Sequence, residues 1–243
     1  MAKGIGTAIF FAFLLSVSGC TQRQTAPDEL VLAISAAPST LDPRMASDAY
    51  GMRLGHLMFN ALVRVGPHLE VAPDAALRWT YKDKIIKMEL APGLKFHNGR
   101  AVTADDLIFS FEQFKSKSSA FSSSFDEVEK FEAAEVGDHL EVTIRLKRYV
   151  ANFIGADLPV LKILPRKEIS EFPGNLIGTG SFRLISKSDS EIRLAAVPSH
   201  ALITAQVPRL TFKVVRDDFT RFQKMIKGEI DAVLNDLSVD KVR

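Results

Sequence analysis

The sequence predicts an α/β fold with mixed sheets. Segments of alternating apolar and charged residues, separated by short polar turns, predict several hairpins. Stretches with apolar residues at helical spacing interrupt these hairpins. The 243 residues are 47% hydrophobic and 25% charged, as in a globular protein of one or two domains.

The N-terminal twenty residues are typical of a secretory signal. A single lysine precedes an apolar core from Ile5 to Val17, which is too short to cross a bilayer. The boundary "LSVSGC" resembles a bacterial lipobox, which implies cleavage before Cys20 and lipidation of that residue. A chance cysteine beside an ordinary cleavage site is the alternative. We therefore expect a signal peptide at 1–20 and a polar tether at 21–29.

The first predicted elements are a buried strand and an amphipathic helix. "LVLAIS", Leu30–Ser35, is an apolar run of strand length, and two prolines in "APSTLDP" end it. Apolar residues at helical spacing predict a helix over Ser47–Val63. Its His56 has no metal-type partner nearby in sequence, which favours a solvated or hydrogen-bonded histidine.

A hairpin turning at 82–84 comes next, followed by "LKFHNGRAVTADDLIFSFEQF". In that stretch, Asn98-Gly99 predicts a tight turn. Thr103 predicts a helix N-cap, with Asp106 completing a short capping box. Leu107, Phe111 and Phe114 then form the predicted buried stripe of the helix.

The second half repeats this pattern of hairpins and a helix. Turns at 137–138 and 188–190 each join two alternating strands. Asp217 or Asp218 caps a helix that Gly228 ends. "EIDAVL" starts another strand, and "DLSVDKVR" is typical of the first turn of a further helix.

Five phrases, in order, resemble the bacterial extracellular solute-binding proteins of family 5, the peptide, dipeptide and nickel class that serves ATP-binding-cassette (ABC) importers. They run across nearly all of the chain after the tether: "PSTLDPRMASDAYGMRLGHLMFNALVR", "VAPDAALRWTY", "ELAPGLKFHNGRAVTADDLIFSFEQF", "IGTGSFRLIS" and "DDFTRFQKMIKGEIDAVLNDL".

The resemblance implies a type II periplasmic-binding-protein-like fold with two lobes around a cleft. Residues 30–45 and 165–237 would form the first lobe, and 46–164 an inserted scaffold subdomain. Residues 238–243 would begin the second lobe. Because family members are considerably longer, we expect a truncated chain without that lobe.

The resemblance also implies a function in solute binding. The main chain of Ala37, Pro38, Ser39 and Thr40 matches the family region that faces the ligand, and Phe121 or Phe125 lies where some members have an aromatic wall. Both phenylalanines are equally well explained as core residues. The expected partners are a peptide or similar small solute and the permease subunits of an ABC importer, with no cofactor and no metal.

The expected location is the cell envelope, on its periplasmic or extracellular face, with the protein held at a membrane through its lipid. Nucleic acid is not an expected partner, since the net charge is only +2 and basic residues are not clustered. One alternative is a non-transporting lipoprotein remnant or interaction module. Another is a secreted hydrolase, although no nucleophile elbow or zinc-binding helix motif occurs.

Overall fold

The computed structural model describes residues 28–198 and 200–234. The predicted signal peptide with Cys20, nearly all of the tether and residues 238–243 lie outside this part. The strands of the described part are β1 Glu29–Ile34, β2 Val63–Val65, β3 Val71–Pro73, β4 Ala76–Lys82, β5 Ile85–Leu90, β6 Val128–Val136, β7 His139–Leu146, β8 Phe182–Lys187, β9 Glu191–Ala196, β10 Arg209–Val214 and β11 Ala232–Val233. The helices are α1 Ala49–Met58, α2 Ala104–Lys115, α3 Phe153–Ala156 and α4 Asp218–Ile226.

One sheet joins the beginning and the end of the described chain. Its strand order is β11-β1-β10-β9-β8. The strand β1 runs parallel to both of its neighbours, so that Leu32 lies opposite Phe212 on one side and Ala232 on the other. The β8–β9 and β9–β10 pairs are antiparallel, and the sheet is therefore mixed, as predicted.

A separate antiparallel sheet is formed by the middle of the chain, in the order β4-β5-β7-β6. Its hairpins turn at the two predicted positions. Asp83 and Gly137 occupy these turns with φ of 57° and 62°, in the left-handed region that tight turns require. The pair β2–β3 stands apart as a two-stranded ribbon.

The helix predicted over Ser47–Val63 is shorter in the structure. Asp48 caps it by accepting a hydrogen bond from the Gly51 amide, and α1 ends at Met58. Residues 59–62 are extended instead, because Ala61 and Leu62 accept hydrogen bonds from Ala75 and Ala76. Tertiary pairing thus overrides the helical periodicity of these residues.

The helix α2 confirms the predicted capping box. The Thr103 side chain accepts from the Asp106 amide, and the Asp106 carboxylate accepts from the Thr103 amide. The predicted stripe of Leu107, Phe111 and Phe114 is buried. Phe111 stacks on Phe131 of β6 with ring centroids 4.6 Å apart, which fixes the helix on the face of the four-stranded sheet.

Asp106 is also the buried centre of an ion-pair cluster whose other members are half-buried. Arg100 contacts the carboxylates of Asp106 and Glu168, each at 2.8 Å. The Arg166 amide donates to Asp106 Oδ1 at 2.9 Å. Burial alone would raise the pKa of Asp106, but the hydrogen bonds from Arg100, Arg166 and Thr103 lower it below its ordinary value.

His97 connects the turn before α2 to the segment before β8. Its Nε2–H donates to the Gly180 carbonyl at 3.0 Å, and its Nδ1 accepts from the Gly178 amide at 3.2 Å. The His97 amide donates to the Gly178 carbonyl at 2.8 Å. These roles require a neutral ring, and burial lowers the pKa of His97 to about 4.

We expect Asp106→Ala to destabilise the protein by about 3–5 kcal/mol, since it removes a buried carboxylate that accepts hydrogen bonds from Arg100, Arg166 and Thr103. Asp105→Ala is the matched control. Asp105 is exposed one position away, and its loss should cost less than about 1 kcal/mol. Urea unfolding of both variants at pH 7 measures the difference. Equal losses would contradict the assigned role of the cluster.

We also expect His97 to make the fold sensitive to acid. Its pKa in the folded protein lies below the value of about 6.5 in an unfolded chain, so protons bind the unfolded state more tightly. Stability from this site is complete above pH 6.5 and declines by about 1–3 kcal/mol as the pH falls towards 4. Urea unfolding between pH 7 and pH 4.5 should show a shallower decline for His97→Gln. The exposed control His68→Gln should follow the unsubstituted protein, and a parallel decline of all three would refute the assignment.

Candidate functional site

A cavity of about 450 Å³ lies between α1 and residues 155–162. Its volume falls within the range of small-molecule sites. Apolar surface is contributed by Met52 on α1, by Phe121 and by Ile203. Polar surface comes from a group of facing residues, His56, Asn60, Asp74 and Lys162. The cavity is therefore amphipathic, with its polar groups drawn from three separate segments of the chain.

The segment 178–180 positions one wall of the cavity by passing against the end of α1. The Gly180 amide donates to the Met58 carbonyl at 2.9 Å, and Thr179 Oγ1 accepts from the Asn60 amide at 3.0 Å. A Cβ added at Gly178 would lie 1.9 Å from the Met58 carbonyl oxygen. Only a residue without a side chain fits this backbone contact.

Lys162 places an ammonium group in the interior. Its residue is only 5% exposed, and its Nζ donates to His56 Nδ1 at 2.7 Å. Desolvation lowers the pKa of Lys162 to about 8, against the opposing attraction of Asp74. Desolvation, followed by repulsion from Lys162, also lowers the pKa of His56. At neutral pH the pair is thus a charged lysine facing a neutral imidazole.

Asn60 and Asp74 form the second polar group of the wall. The side-chain nitrogen of Asn60, Nδ2, donates to Asp74 Oδ1 at 2.5 Å. The backbone amide of Ala61 donates to Asp74 Oδ2 at 2.8 Å. Both carboxylate oxygens therefore have protein donors. The Asn60 Oδ1 atom is buried and has no hydrogen-bond partner within the described structure.

Of the residues proposed from the sequence, the structure brings Phe121 to this cavity. Phe125 lies elsewhere. Its side chain is fully buried and contacts Phe111 edge-on, with ring centroids 5.8 Å apart. Phe125 thus fills the core beneath α2 and offers no surface to a ligand in this conformation.

Ala37, Pro38, Ser39 and Thr40 follow β1 and lie outside the cavity lining. Ser39 donates from its amide and its hydroxyl to the Asp48 carboxylate, at 3.1 and 2.6 Å. Thr40 Oγ1 accepts from the Asp42 amide. The segment is held by these contacts, and Pro43 and Ala46 just beyond it contribute to the cavity wall.

Sequence reasoning missed Lys162, Asn60 and Asp74. One signal for Lys162 was present, because it is the only charged residue in the apolar run "LPVLKILP". A single lysine in such a run indicates a buried charge. The partners of Lys162 were not visible, since His56 lies 106 positions away along the chain.

The described residues also bear on metal binding and on membrane spanning. No group of three or more His, Cys, Asp or Glu residues there is placed to hold a metal ion. None of the described helices combines the length and hydrophobicity needed to cross a membrane.

Known proteins that resemble this chain are binding proteins. The family model for bacterial extracellular solute-binding proteins, family 5 Middle, matches residues 70–242. The chain is 26% identical over 230 residues to the periplasmic murein peptide-binding protein MppA of Escherichia coli, covering 84% of this chain and 42% of MppA. It spans less than half the length of the curated relatives that it matches.

Solved structures of the same kind share its fold. NikZ from Campylobacter jejuni, in complex with Ni(L-His), superposes with a TM-score of 0.78 at 23% identity, covering 90% of this chain and 45% of NikZ. AppA from Bacillus subtilis, in complex with a nonapeptide, gives a TM-score of 0.74 at 23% identity, covering 83% and 43% of the two chains.

We expect Gly178→Ala to destabilise the protein by more than about 3 kcal/mol, because the added methyl group overlaps a backbone carbonyl oxygen. Gly55→Ala on α1 is the control. Nothing lies within 4 Å of a Cβ at that position, so the better helix former should stabilise by about 0.5–1 kcal/mol. Thermal and urea unfolding of the two variants should move in opposite directions. If Gly178→Ala left the stability unchanged, the backbones of residue 178 and Met58 would have to lie farther apart than the structure places them.

Proposed function

Since the chain belongs to family 5 of the bacterial extracellular solute-binding proteins, we propose that it binds peptides or similar small solutes and delivers them to the permease of an ABC importer. The observation that carries this proposal is the amphipathic cavity beside α1. Its apolar surface suits side chains, and its facing polar groups suit the charged or hydrogen-bonding parts of a solute. No catalytic role is proposed for any residue.

The ligands named for the relatives support this range of solutes. MppA is described as a murein peptide-binding protein, AppA was solved with a nonapeptide and NikZ with a nickel–histidine complex. Peptides are the ligand class that we propose for this chain. Phe121 would supply an aromatic wall, and the main chain of 37–40 would contact the part of a longer peptide that projects from the cavity.

We further propose a location in the cell envelope, on the periplasmic or extracellular side. The signal-like N-terminus supports export, and Cys20 would carry the lipid that holds the protein at a membrane. Its relative MppA is described as periplasmic, which is compatible with this location.

The proposed division into lobes follows the two sheets. Residues 30–45 and 165–237 would form the first lobe, whose sheet pairs β1 with β10 and β11. Residues 46–164 would form the scaffold subdomain, whose own sheet comprises β4 to β7. The cavity draws its walls from both parts, because Ser181 and Ile203 line it together with residues 155–162.

Thermal unfolding in the presence of di-, tri- and oligopeptides tests the proposal. A peptide at 100 times its Kd should stabilise the folded chain by about 2.7 kcal/mol. Gly55→Leu should abolish this stabilisation, because it fills the cavity from a helix position where an added Cβ meets no neighbour. The control Arg53→Leu alters an exposed position of the same helix and should bind normally. If no peptide stabilises the unsubstituted chain, the proposal fails.

A further inference from the structure

The Lys162 ammonium lacks an anionic partner. Its single hydrogen bond goes to His56, which is neutral at pH 7 because its pKa is lowered. Among the described residues, no carboxylate lies within salt-bridge distance of Lys162. A buried charge without a directly paired counter-charge is costly, and an anion that contacts it would lower that cost.

The absence of a paired carboxylate distinguishes Lys162 from Arg100. Arg100 is compensated by two carboxylates at 2.8 Å. Lys162 has only Asp74 as a nearby acidic group, and both Asp74 oxygens already accept hydrogen bonds from Asn60 and Ala61. Two N–H groups of the lysine therefore remain for another acceptor.

The same wall also carries an acceptor without a donor. Asn60 is 5% exposed, and its Oδ1 atom has no hydrogen-bond partner in the described structure. Asn60 is directly adjacent to Ala61, which forms an isolated antiparallel bridge with Lys162. The unsatisfied acceptor and the uncompensated ammonium thus belong to neighbouring backbone segments and line one cavity.

We propose that this cavity binds the carboxylate end of a short peptide, with the carboxylate accepting hydrogen bonds from Lys162 and an adjacent peptide N–H donating to Asn60 Oδ1. This inference rests on the proposed function and specifies which end of the solute the cavity holds. A free carboxylate beside a peptide N–H supplies both missing partners in one ligand. An amine end could donate to Asn60 Oδ1, but it would leave the Lys162 ammonium without an acceptor and would bring two like charges together.

The remaining charges around the cavity agree with this polarity. Arg64 contributes a second cation to the lining, while the carboxylate of Asp74 is held by protein donors. The apolar residues Met52 and Ile203 are 37% and 49% exposed beside these groups and offer contact surface for small aliphatic side chains. The binding mode thus selects a carboxylate and tolerates varied side chains.

Isothermal titration of dialanine and of dialanine amide tests the inference. The two probes share the same amine, side chains and peptide bond, and differ only in the charge at the carboxyl end. The unsubstituted chain should bind dialanine at least ten-fold more tightly than the amide. In Lys162→Met, dialanine should bind as weakly as the amide, while the exposed-site control Lys167→Met should keep the preference.

The variant should remain folded, because an apolar side chain of similar length replaces an uncompensated buried ammonium. An unchanged or higher Tm for Lys162→Met checks this, and the comparison of acid with amide on the unsubstituted chain needs no variant at all.

Equal binding of both probes, or an acid preference that survives in Lys162→Met, would overturn the inference while leaving the proposed function intact. If oligopeptides bind and dialanine does not, the inference again fails alone. If no peptide of any length binds, the proposed function fails as well.

Discussion

The close passage of residues 178–180 against the end of α1 is the constraint on which the arrangement of this molecule depends. At that point two backbones approach so closely that a side chain at Gly178 would overlap the Met58 carbonyl oxygen. The same segment forms hydrogen bonds with the His97 side chain on one side and with the backbone amide of Asn60 on the other. The orientation of α1, the turn before α2 and the polar wall of the cavity are therefore set by one short stretch without bulky side chains. The close approach itself is made by backbone atoms, whereas the side chains of Thr179 and His97 add hydrogen bonds on its two sides.

The half-buried Arg100 and the buried Lys162 follow different physical rules. Arg100 is enclosed by Asp106 and Glu168, so its charge is balanced within the protein and contributes to a fixed structure. Lys162 has a neutral imidazole at hydrogen-bond distance and is attracted by Asp74 without direct contact, which leaves its charge available to a solute. In both cases burial strengthens electrostatic interactions. The difference lies in whether the chain itself supplies the counter-charge, and this difference separates a structural cluster from a candidate binding group.

Local features were predictable from the sequence, whereas the site was not. The capping box of α2 and the turns at Asp83 and Gly137 depend on residues within a few positions of one another. The end of α1 was predicted too late, because residues 59–62 pair with a segment that local periodicity does not report. Within the cavity, the family resemblance indicates Phe121. It does not indicate Lys162, because the role of a buried lysine depends on partners that are distant in sequence. The aromatic residue Phe125 could equally have been a wall or a core residue, and only packing against Phe111 decides for the core.

The position of β1 between β10 and β11 has a consequence for how the chain reaches its folded state. The partners Glu29 and Arg209 are separated by about 180 residues, and within the described sheet β1 has no other neighbours. At synthesis rates of about 5–20 residues per second, this strand emerges roughly 10–35 s before its first partner. Such long-range parallel pairing is also slow to form, because a large loop must close first. The first sheet is thus completed late, and β1 remains without either of its neighbours until nearly all of the described residues have been synthesised.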